Sequence, residues 1–441
     1  MSEKFSNNIC INTGSWCGDR EVYLSLPGHW SIDIHNGSMA SPLNSYQIEE
    51  KLHQPVDDFG LSSILESHHK VAIVIDDHTR PTPVADILIP LLKMIRSFGV
   101  ENKNIKIIVA LGTHLLDDRS FLGNKLGHLM DGDVEIIFPS CRESSQFVFV
   151  GDSDDGIPVW ANRSFVEADV KMAISGIYPH DEAGFSGGAK ILIGVLGLET
   201  ITRFHRKHGL LVRGSAIDTD FRKELEHFAD LVGLTYSINC VINGEKKVTD
   251  LYCGDFRKSF RKAVMSAKAS FATQIDSEAD VVISNAYPLD TSLSVLGKSK
   301  WPFKFYNESA YKIIVTSLCD CSGERVPMAS SQKERLLQDI KRLTGASSTK
   351  RCLRELNIKA RNLVTSDYKW KNKPVIHVAH IDEKYSGRPA LINDYIVQYN
   401  WDEIINELLD QFGLSYPVRV AFFLYAPLLF PQGRCLSGSH S

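Results

Sequence analysis

The 441-residue sequence has no surplus of positive charge, no CxxC motif and no hydrophobic run long enough for a membrane helix. Lysine and arginine number 49 against 53 aspartate and glutamate residues, a formal charge of −4. The chain therefore lacks the basic excess that neutralises a nucleic-acid backbone. Its longest apolar run, residues 420–431, is shorter than the roughly 20 residues that span a bilayer. We expect neither a nucleic acid nor a membrane as partner.

The nine cysteines are scattered, and their number is odd. The closest pair, Cys319 and Cys321, could bind a metal, but two small apolar residues at a strand end are the favoured interpretation. Residues 1–13 are polar and show no apolar core of signal-peptide length. These features predict a reduced, cytoplasmic protein. Hydrophobic residues at 43% and charged residues at 23% exclude wholesale disorder.

Short runs rich in valine and isoleucine alternate with longer amphipathic segments. Continuous hydrophobicity is typical of strands buried on both faces, so we predict an α/β fold. It comprises two α/β domains with mainly parallel sheets and an active-site cleft between them. The domains are expected at 1–275 and 276–415, followed by a strand and disordered tail at 416–441. The predicted strands are 71–75, 105–110, 134–138, 170–175, 281–284, 313–316, 375–378 and 418–424, with helices at 84–98 and 256–270.

Polar side chains follow two of the predicted strands. The first strand leads into Asp76, Asp77, His78, Thr79 and Arg80, before prolines stiffen the entry to a helix. The next ends in Gly112-Thr113-His114. Loops at the carboxyl ends of parallel strands line the ligand crevice of such sheets. Arg80 suits a carboxylate or phosphate, and His114 suits general acid–base chemistry.

A glycine-rich segment follows the strand at 170–175. It delivers His180, then Gly184, Gly187 and Gly188, and then Lys190. Its backbone N–H groups could bind a phosphate, and Lys190 could bind phosphate or attack an electrophile; a tight structural turn is the alternative. No Ser or Thr follows Lys190 as in a Walker A loop, and no GxGxxG occurs. Downstream, His205 and His208 form an HxxH pair, a weak zinc signal on its own.

Taken together and in this order, these stretches resemble the nickel-pincer-dependent lactate racemase family. The similarity covers residues 26–208 closely and residues 279–300 more loosely. The matching motifs are Asp-Asp-x-Thr-Arg-Pro-Thr-Pro (76–83), Gly-Thr-His (112–114), His-x9-Lys with Gly-Phe-Ser-Gly-Gly (180–190) and Gly-x-x-Gly-x-x-Thr-Ile-x-x-x-His (194–205).

The resemblance implies racemisation or epimerisation at C2 of a 2-hydroxy acid. The family's cofactor is nickel held by a pyridinium-3,5-bisthiocarboxylic acid mononucleotide, which other enzymes make and load. His114 and His180 would be the acid and base, His205 the nickel ligand and Lys190 the point of covalent attachment. Cofactor contacts would also come from Asp77, Thr79, Gly187 and Gly188, and substrate contacts from Arg80, Asp77 and Lys298.

The sequence departs from the family pattern near Lys298 and near Gly194. Val295 stands where the lactate enzymes have glutamine, and Ile193 replaces the proline before Gly194, with one residue deleted before His205. Loss of a polar substrate contact can shift specificity strongly. The 2-hydroxy acid therefore stays open, with a longer or more apolar acid or a sugar acid among the candidates.

Two other functions are compatible with parts of the pattern. An NAD-dependent 2-hydroxy acid dehydrogenase would use the same arginine and histidine chemistry, but it needs a dinucleotide fingerprint. A non-catalytic nickel- or nucleotide-binding homologue would have no need of two proton-handling histidines. Retention of both His114 and His180 favours the enzyme.

Overall fold

A computed structural model describes residues 5–114, 116, 119–208, 213–214, 217–275, 278–291, 296–317, 374–379, 390–392 and 395–432. These residues divide into two compact units. We call residues 38–272 the central unit, and the described residues of 1–37 and 273–432 the terminal unit. Within these ranges, no helix is both long and apolar enough to cross a membrane.

The strands are short, and those at the centre of each large sheet are buried along nearly their whole length. In chain order they are β1 (Phe5–Thr13), β2 (Arg20–Pro27), β3 (Ser31–His35), β4 (Val71–Asp76), β5 (Ile105–Ala110), β6 (Glu135–Ile137), β7 (Phe147–Asp152), β8 (Pro158–Asn162), β9 (Val170–Ile177), β10 (Pro179–His180), β11 (Gly184–Phe185), β12 (Tyr236–Ile242), β13 (Val248–Asp255), β14 (Ala272–Thr273), β15 (Val281–Asn285), β16 (Tyr311–Thr316), β17 (Val375–Val378), β18 (Ala390–Ile392), β19 (Tyr395–Gln398), β20 (Arg419–Phe423) and β21 (Phe430–Pro431).

The helices are α1 (Ser45–Leu52), α2 (Val84–Ser97), α3 (Ser120–Leu126), α4 (Arg163–Val166), α5 (Leu198–Lys207), α6 (Asp220–Val232), α7 (Phe256–Phe271) and α8 (Trp401–Phe412). Short 3₁₀ segments lie at Leu61–Ser63, Asn102–Asn104, Gly127–Asp131, Ser144–Gln146, Gly188–Val195, Leu296–Ser299, Trp301–Lys304 and Ala426–Leu428. Helix α2 has its buried residues at helical spacing, as its sequence predicts, because one face must cover the sheet. The two helices predicted at 84–98 and 256–270 are confirmed.

In the central unit, six strands form one sheet in the order β13-β12-β9-β4-β5-β6. All neighbours run parallel except β12 and β13, which form an antiparallel pair. Strand β4 lies between β9 and β5, and its first five residues are buried. The continuous apolar run of β4 therefore reflects burial on both faces.

In the terminal unit, seven strands form a sheet in the order β18-β19-β17-β16-β15-β20-β3. Neighbours are parallel except β18 and β19. Helix α8 buries one face in the core of this unit, where its residues pack with those of the hairpin β1–β2 and of β15 and β16. The predicted α/β class with mainly parallel sheets is confirmed; the predicted interdomain cleft stays a prediction.

The structure differs from the predicted domain limits at both ends of the chain. Residues 1–37, expected in the first domain, belong to the terminal unit, because β3 pairs in parallel with β20. Residues 416–423, expected to stand apart, belong to the same unit, since β20 lies between β15 and β3. The division at 272/273 falls just before the limit predicted at 275. The tail predicted to be disordered lies, from residue 433, outside the described residues.

Candidate active site

Three neighbouring parallel strands of the central unit end at one edge of its sheet. Strands β9, β4 and β5 lie side by side, with Ile75 opposite both Val109 and Ile174. The segments after them carry the predicted site residues of this unit up to Lys190. Because carboxyl ends of parallel strands meet at the same edge, side chains far apart in sequence converge there.

The last residue of β4 ties two of these segments together. The Asp76 carboxylate accepts hydrogen bonds from the Thr82 hydroxyl (2.5 Å) and from the Gly176 N–H (3.2 Å) in β9. The Asp76 side chain thus joins the two ends of the loop after β4 and also links this loop to the neighbouring strand β9. The loop that carries Asp77, Thr79 and Arg80 is therefore held at both ends.

Asp77 and His114 form a short, buried pair. His114 Nδ1 lies 2.5 Å from one Asp77 oxygen, and the other oxygen accepts from the Thr79 hydroxyl (2.6 Å) and N–H (2.9 Å). The Asp77 side chain is 1% exposed. Burial alone would raise the pKa of Asp77, but His114 and then Arg80 outweigh it and hold that pKa well below its usual range. Asp77 is therefore a carboxylate that accepts the proton on His114 Nδ1.

Arg80 lies in the same loop, half-buried, with its guanidinium beside the Tyr178 phenol. Desolvation lowers the pKa of Arg80, but Tyr178, Asp77 and Asp76 together raise it above its usual value. Arg80 therefore keeps its positive charge at this edge of the sheet. A planar guanidinium there suits a carboxylate ligand.

Lys125 was not predicted from the sequence, yet it supports this loop. From α3, its ammonium donates to the carbonyl oxygens of Asp77 (2.6 Å) and Arg80 (3.1 Å). Burial lowers the pKa of Lys125 to about 8. Nothing in its local sequence marks it, because its partners are backbone carbonyls more than forty residues away.

His180 is held in the tight β10–β11 hairpin, where it pairs with Gly184. Its Nδ1 accepts the N–H of Glu182 (3.1 Å), and the side chain is 7% exposed. An imidazole nitrogen that accepts from an amide carries no proton, so neutral His180 has its proton on Nε2. His114 has the opposite arrangement, with its proton on Nδ1.

The glycine-rich segment makes a turn that larger residues could not make. Gly187 and Gly188 have φ of +80° and +55°. A Cβ on Gly187 would lie 2.2 Å from the Ile177 side chain, and one on Gly188 2.8 Å from the Phe260 ring. A 3₁₀ segment, rather than the start of an α-helix, then carries Lys190. Both glycines are therefore required by close packing and backbone conformation.

Lys190 is half-buried within this segment, and its amine is strongly affected by its surroundings. Burial, followed by the positive charges of Arg80 and Arg222, lowers the pKa of Lys190 to about 7, although Glu182 and Asp76 act in the other direction. The Lys190 amine therefore loses its proton far more readily near neutral pH than an ordinary lysine does. Lys190 suits nucleophilic or covalent chemistry better than simple ion pairing.

His205 and His208 lie at the end of α5 and face different partners. His205 Nδ1 donates to the Ile201 carbonyl (2.8 Å), which leaves Nε2 unprotonated in the neutral ring. His208 Nε2 lies 2.6 Å from the Glu224 carboxylate. His205 therefore has the tautomer of a metal ligand, whereas His208 belongs to an ion-pair cluster with Glu224 and Lys207.

Lys298 belongs to the terminal unit, in the 3₁₀ segment Leu296–Ser299, and is 7% exposed. The other predicted site residues belong to the central unit, so the part of Lys298 in a joint site stays a prediction. Val295 lies outside the described residues.

Residues 17–216 match a family model described as the lactate racemase N-terminal domain. The chain is 27% identical over 276 residues to a lactate racemase of Lactiplantibacillus plantarum and 27% identical over 272 residues to one of Thermoanaerobacterium thermosaccharolyticum. These alignments cover 61% and 58% of this chain, and 65% and 63% of the relatives. The chain thus matches just under two thirds of the length of each.

The fold is similar to two solved structures. The lactate racemase apoprotein from T. thermosaccharolyticum superposes with a TM-score of 0.68 at 19% identity, over 97% of this chain and 100% of that one. A protein from Thermotoga maritima gives a TM-score of 0.51 at 22% identity, over 63% of this chain and 72% of that one. At such identities these matches establish the fold alone.

Proposed function

We propose that the protein is an isomerase acting at C2 of a 2-hydroxy acid, because residues 17–216 match the family model described as the lactate racemase N-terminal domain. Such a reaction inverts a carbon whose hydrogen is poorly acidic. It needs an acceptor for the C2 hydride, groups that take and return the hydroxyl proton, and a cation for the carboxylate. The central unit has residues for the last two requirements.

The opposite tautomers of His114 and His180 carry this proposal. His114 donates from Nδ1 to Asp77, so its Nε2 can accept the hydroxyl proton of the substrate. His180 accepts at Nδ1, so its Nε2–H faces outward as a donor; His180 returns a proton to the substrate oxygen from its imidazolium form, which becomes a neutral ring. A turnover that begins with neutral His114 and protonated His180 moves the hydroxyl proton to His114 and returns one proton from His180. The two rings thereby exchange charge states, which leaves the pair ready for the reverse direction.

Arg80 and Asp77 have the substrate-binding and positioning roles beside the two histidines. Arg80 is assigned to the substrate carboxylate, which it can bind through two parallel N–H groups. The Asp77 carboxylate fixes the ring of His114 and stabilises the imidazolium that forms when His114 takes a proton. Thr79 in turn fixes the second oxygen of Asp77.

We propose nickel and the pincer mononucleotide as cofactor, because the residues fit such a group. His205 offers an unprotonated Nε2 as nickel ligand. Lys190 offers a partly neutral amine as anchor, just after a turn at Gly187 and Gly188 that close packing fixes. When bound, this cofactor would supply the acceptor for the C2 hydride.

The proposal is tested on protein co-produced with the enzymes that make and load the cofactor. Each enantiomer of lactate, of longer aliphatic 2-hydroxy acids and of sugar acids is incubated with the protein and followed by chiral chromatography. We expect interconversion of at least one pair. His114→Ala and His180→Ala should each abolish it, while the exposed His29→Ala should not.

Nickel content separates His205, in α5, from His208, the residue that follows this helix. His205→Ala should lose nickel, whereas the matched variant His208→Ala should keep it, because His208 faces Glu224. Release of a 2-oxo acid that depends on added NAD would replace the proposal with a dehydrogenase. Binding without turnover across the whole panel would replace it with a non-catalytic homologue.

A further inference from the structure

Arg222 has an unusual position among the charged residues that the structure describes. It lies on α6, yet its side chain is 1% exposed. Its guanidinium donates to the carbonyl oxygens of Phe185 (2.6 Å), Gly187 (2.9 Å) and Ala183 (3.4 Å). One side chain thus holds three alternate carbonyl groups of the segment that leads to Lys190.

The surroundings of Arg222 fix its orientation. The guanidinium carbon lies 4.1 Å from the centre of the Phe260 ring, a stacked cation–π contact. The same ring occupies the space that a Gly188 Cβ would need. From the other side, the Asn239 side chain accepts the Gly188 N–H (2.9 Å). The turn is therefore held by α6, α7 and β12 together.

The charge of Arg222 is only partly balanced. Burial lowers the pKa of Arg222 to about 9, and Glu226 acts in the other direction. Glu226 is itself shared with Arg257 and Arg261. Arg222 therefore remains a cation at pH 7. Its guanidinium donates to backbone carbonyl oxygens, and the carboxylate that stabilises its charge is shared with two other arginines. Burying a cation in this way is costly, which argues for a role beyond packing.

We propose that Arg222 is a positioning residue for Lys190: it holds the turn at residues 183–187 that leads to Lys190 and places a fixed positive charge beside that segment. This inference rests on the proposed function, in which Lys190 anchors the cofactor. The charged groups that act most strongly on Lys190 are Arg80 and Asp76 in and after β4, Glu182 in the β10–β11 hairpin and Arg222 on α6. Of these, only Arg222 also holds the backbone of the turn.

The test uses full-length, cofactor-free protein and a brief pulse of acetic anhydride at a series of pH values. Mass spectrometry gives the acetylation of Lys190 relative to the exposed Lys262. Wild-type Lys190 should react with a midpoint near pH 7. In Arg222→Gln the midpoint should rise by about one pH unit, so that labelling at pH 7 falls about fivefold. Arg222→Lys keeps a titratable cation and should shift the midpoint less than Arg222→Gln does.

Hydrogen–deuterium exchange tests the hold on the turn separately. The amides of Ser186, Gly188 and Lys190 should exchange at least about tenfold faster in both Arg222→Lys and Arg222→Gln, because neither side chain can hold three carbonyls. Arg261→Gln is the matched control. It removes a positive charge from the same Glu226 cluster without touching the turn, and should change neither readout.

An unchanged labelling midpoint in folded Arg222→Gln, or the same shift in Arg261→Gln, would overturn the proposal. If Arg222→Gln does not fold, hydrogen–deuterium exchange of Arg222→Lys tests the proposal. Unchanged exchange of the turn amides in this variant overturns it. The wild-type labelling profile needs no cofactor. A loaded protein without turnover on any acid would therefore refute the proposed function while leaving the link between Arg222 and Lys190 intact.

Discussion

Both units bury an aspartate at the edge of a parallel sheet, and the two aspartates do different things. Asp77 follows β4 in the central unit, and its oxygens face the imidazole of His114 and the Thr79 hydroxyl. Asp290 follows β15 in the terminal unit and accepts from the Thr13 hydroxyl and from the N–H groups of Gly14 and Ser15. The two aspartates are equally buried but have different roles. Asp77 faces a titratable histidine and takes part in proton chemistry, whereas Asp290 faces neutral donors and anchors a loop.

Replacing each aspartate by asparagine should separate these roles most clearly. In Asp77→Asn, the amide oxygen should stay with Thr79, so the amide N–H would face His114 Nδ1 and force its proton to Nε2. We expect racemisation to fall roughly 10²–10⁴-fold with little loss of fold, as for other carboxylates that orient a catalytic histidine. Imidazole nitrogen chemical shifts would report the change of tautomer.

Asp290→Asn is the counterpart in the terminal unit. Asparagine has one acceptor oxygen for three donors, so buried N–H groups lose partners and unfolding should become easier by about 1–3 kcal/mol. Turnover per folded molecule should persist. A similar loss of turnover in both variants, measured at a temperature where both are folded, would remove the distinction between the two aspartates.

Lys190→Met should stabilise the protein while removing cofactor anchoring. The pKa of Lys190 is about 7 in the fold, below its ordinary value, so the unfolded chain binds more protons between about pH 7 and 10. The wild type therefore gains stability as pH rises through this range, and below it bears the full cost of burying the amine. Denaturant unfolding should show Lys190→Met more stable by about 1–3 kcal/mol at pH 7, with the gap closing towards pH 10.

A gap that does not depend on pH would mean that the gain comes from packing alone. The matched variant Lys171→Met, in the same unit, carries a pKa that burial also lowers, and it tests whether any partly buried lysine behaves in this way. We expect a smaller change there, because the Lys171 ammonium already donates to the Ala168 carbonyl.

The smallest expected effect concerns two threonines that donate to the two aspartates. Thr79→Val removes the hydroxyl 2.6 Å from Asp77 and should lower turnover about threefold to tenfold. Thr13→Val removes the hydroxyl 2.9 Å from Asp290 and should cost about 1 kcal/mol of stability without changing turnover per folded molecule. Equal effects on turnover would show that the two networks are not functionally distinct.

Much of the sheet architecture follows from local sequence. Continuous valine and isoleucine runs predicted β4, β5, β9, β15 and β17 to within a few residues, because strands covered on both faces need apolar side chains throughout. The same runs placed His114 and Asp77 after neighbouring strands, and the structure brings them to 2.5 Å. The hairpins β1–β2 and β7–β8 were not predicted, since their strands mix polar and apolar residues.

The supports of the site were not predictable in this way. Lys125 and Arg222 act on backbone carbonyls about 35 to 50 positions away, and a carbonyl leaves no mark in a sequence. The different roles of His205 and His208 depend on Glu224, which lies on another helix and binds His208. The membership of residues 1–37 in the terminal unit depends on the pairing of β3 with β20, almost four hundred positions apart.

By itself, the sequence determined the order of buried strands, the types of polar residue at their ends and the glycines of the turn before Lys190, because hydrophobic periodicity and backbone freedom are local properties. Only the tertiary structure decided which nitrogen of His114 and of His180 carries the proton, how far the pKa of Lys190 falls and what holds its turn. Those properties depend on distances between atoms from distant segments, and such distances exist only once the chain has folded.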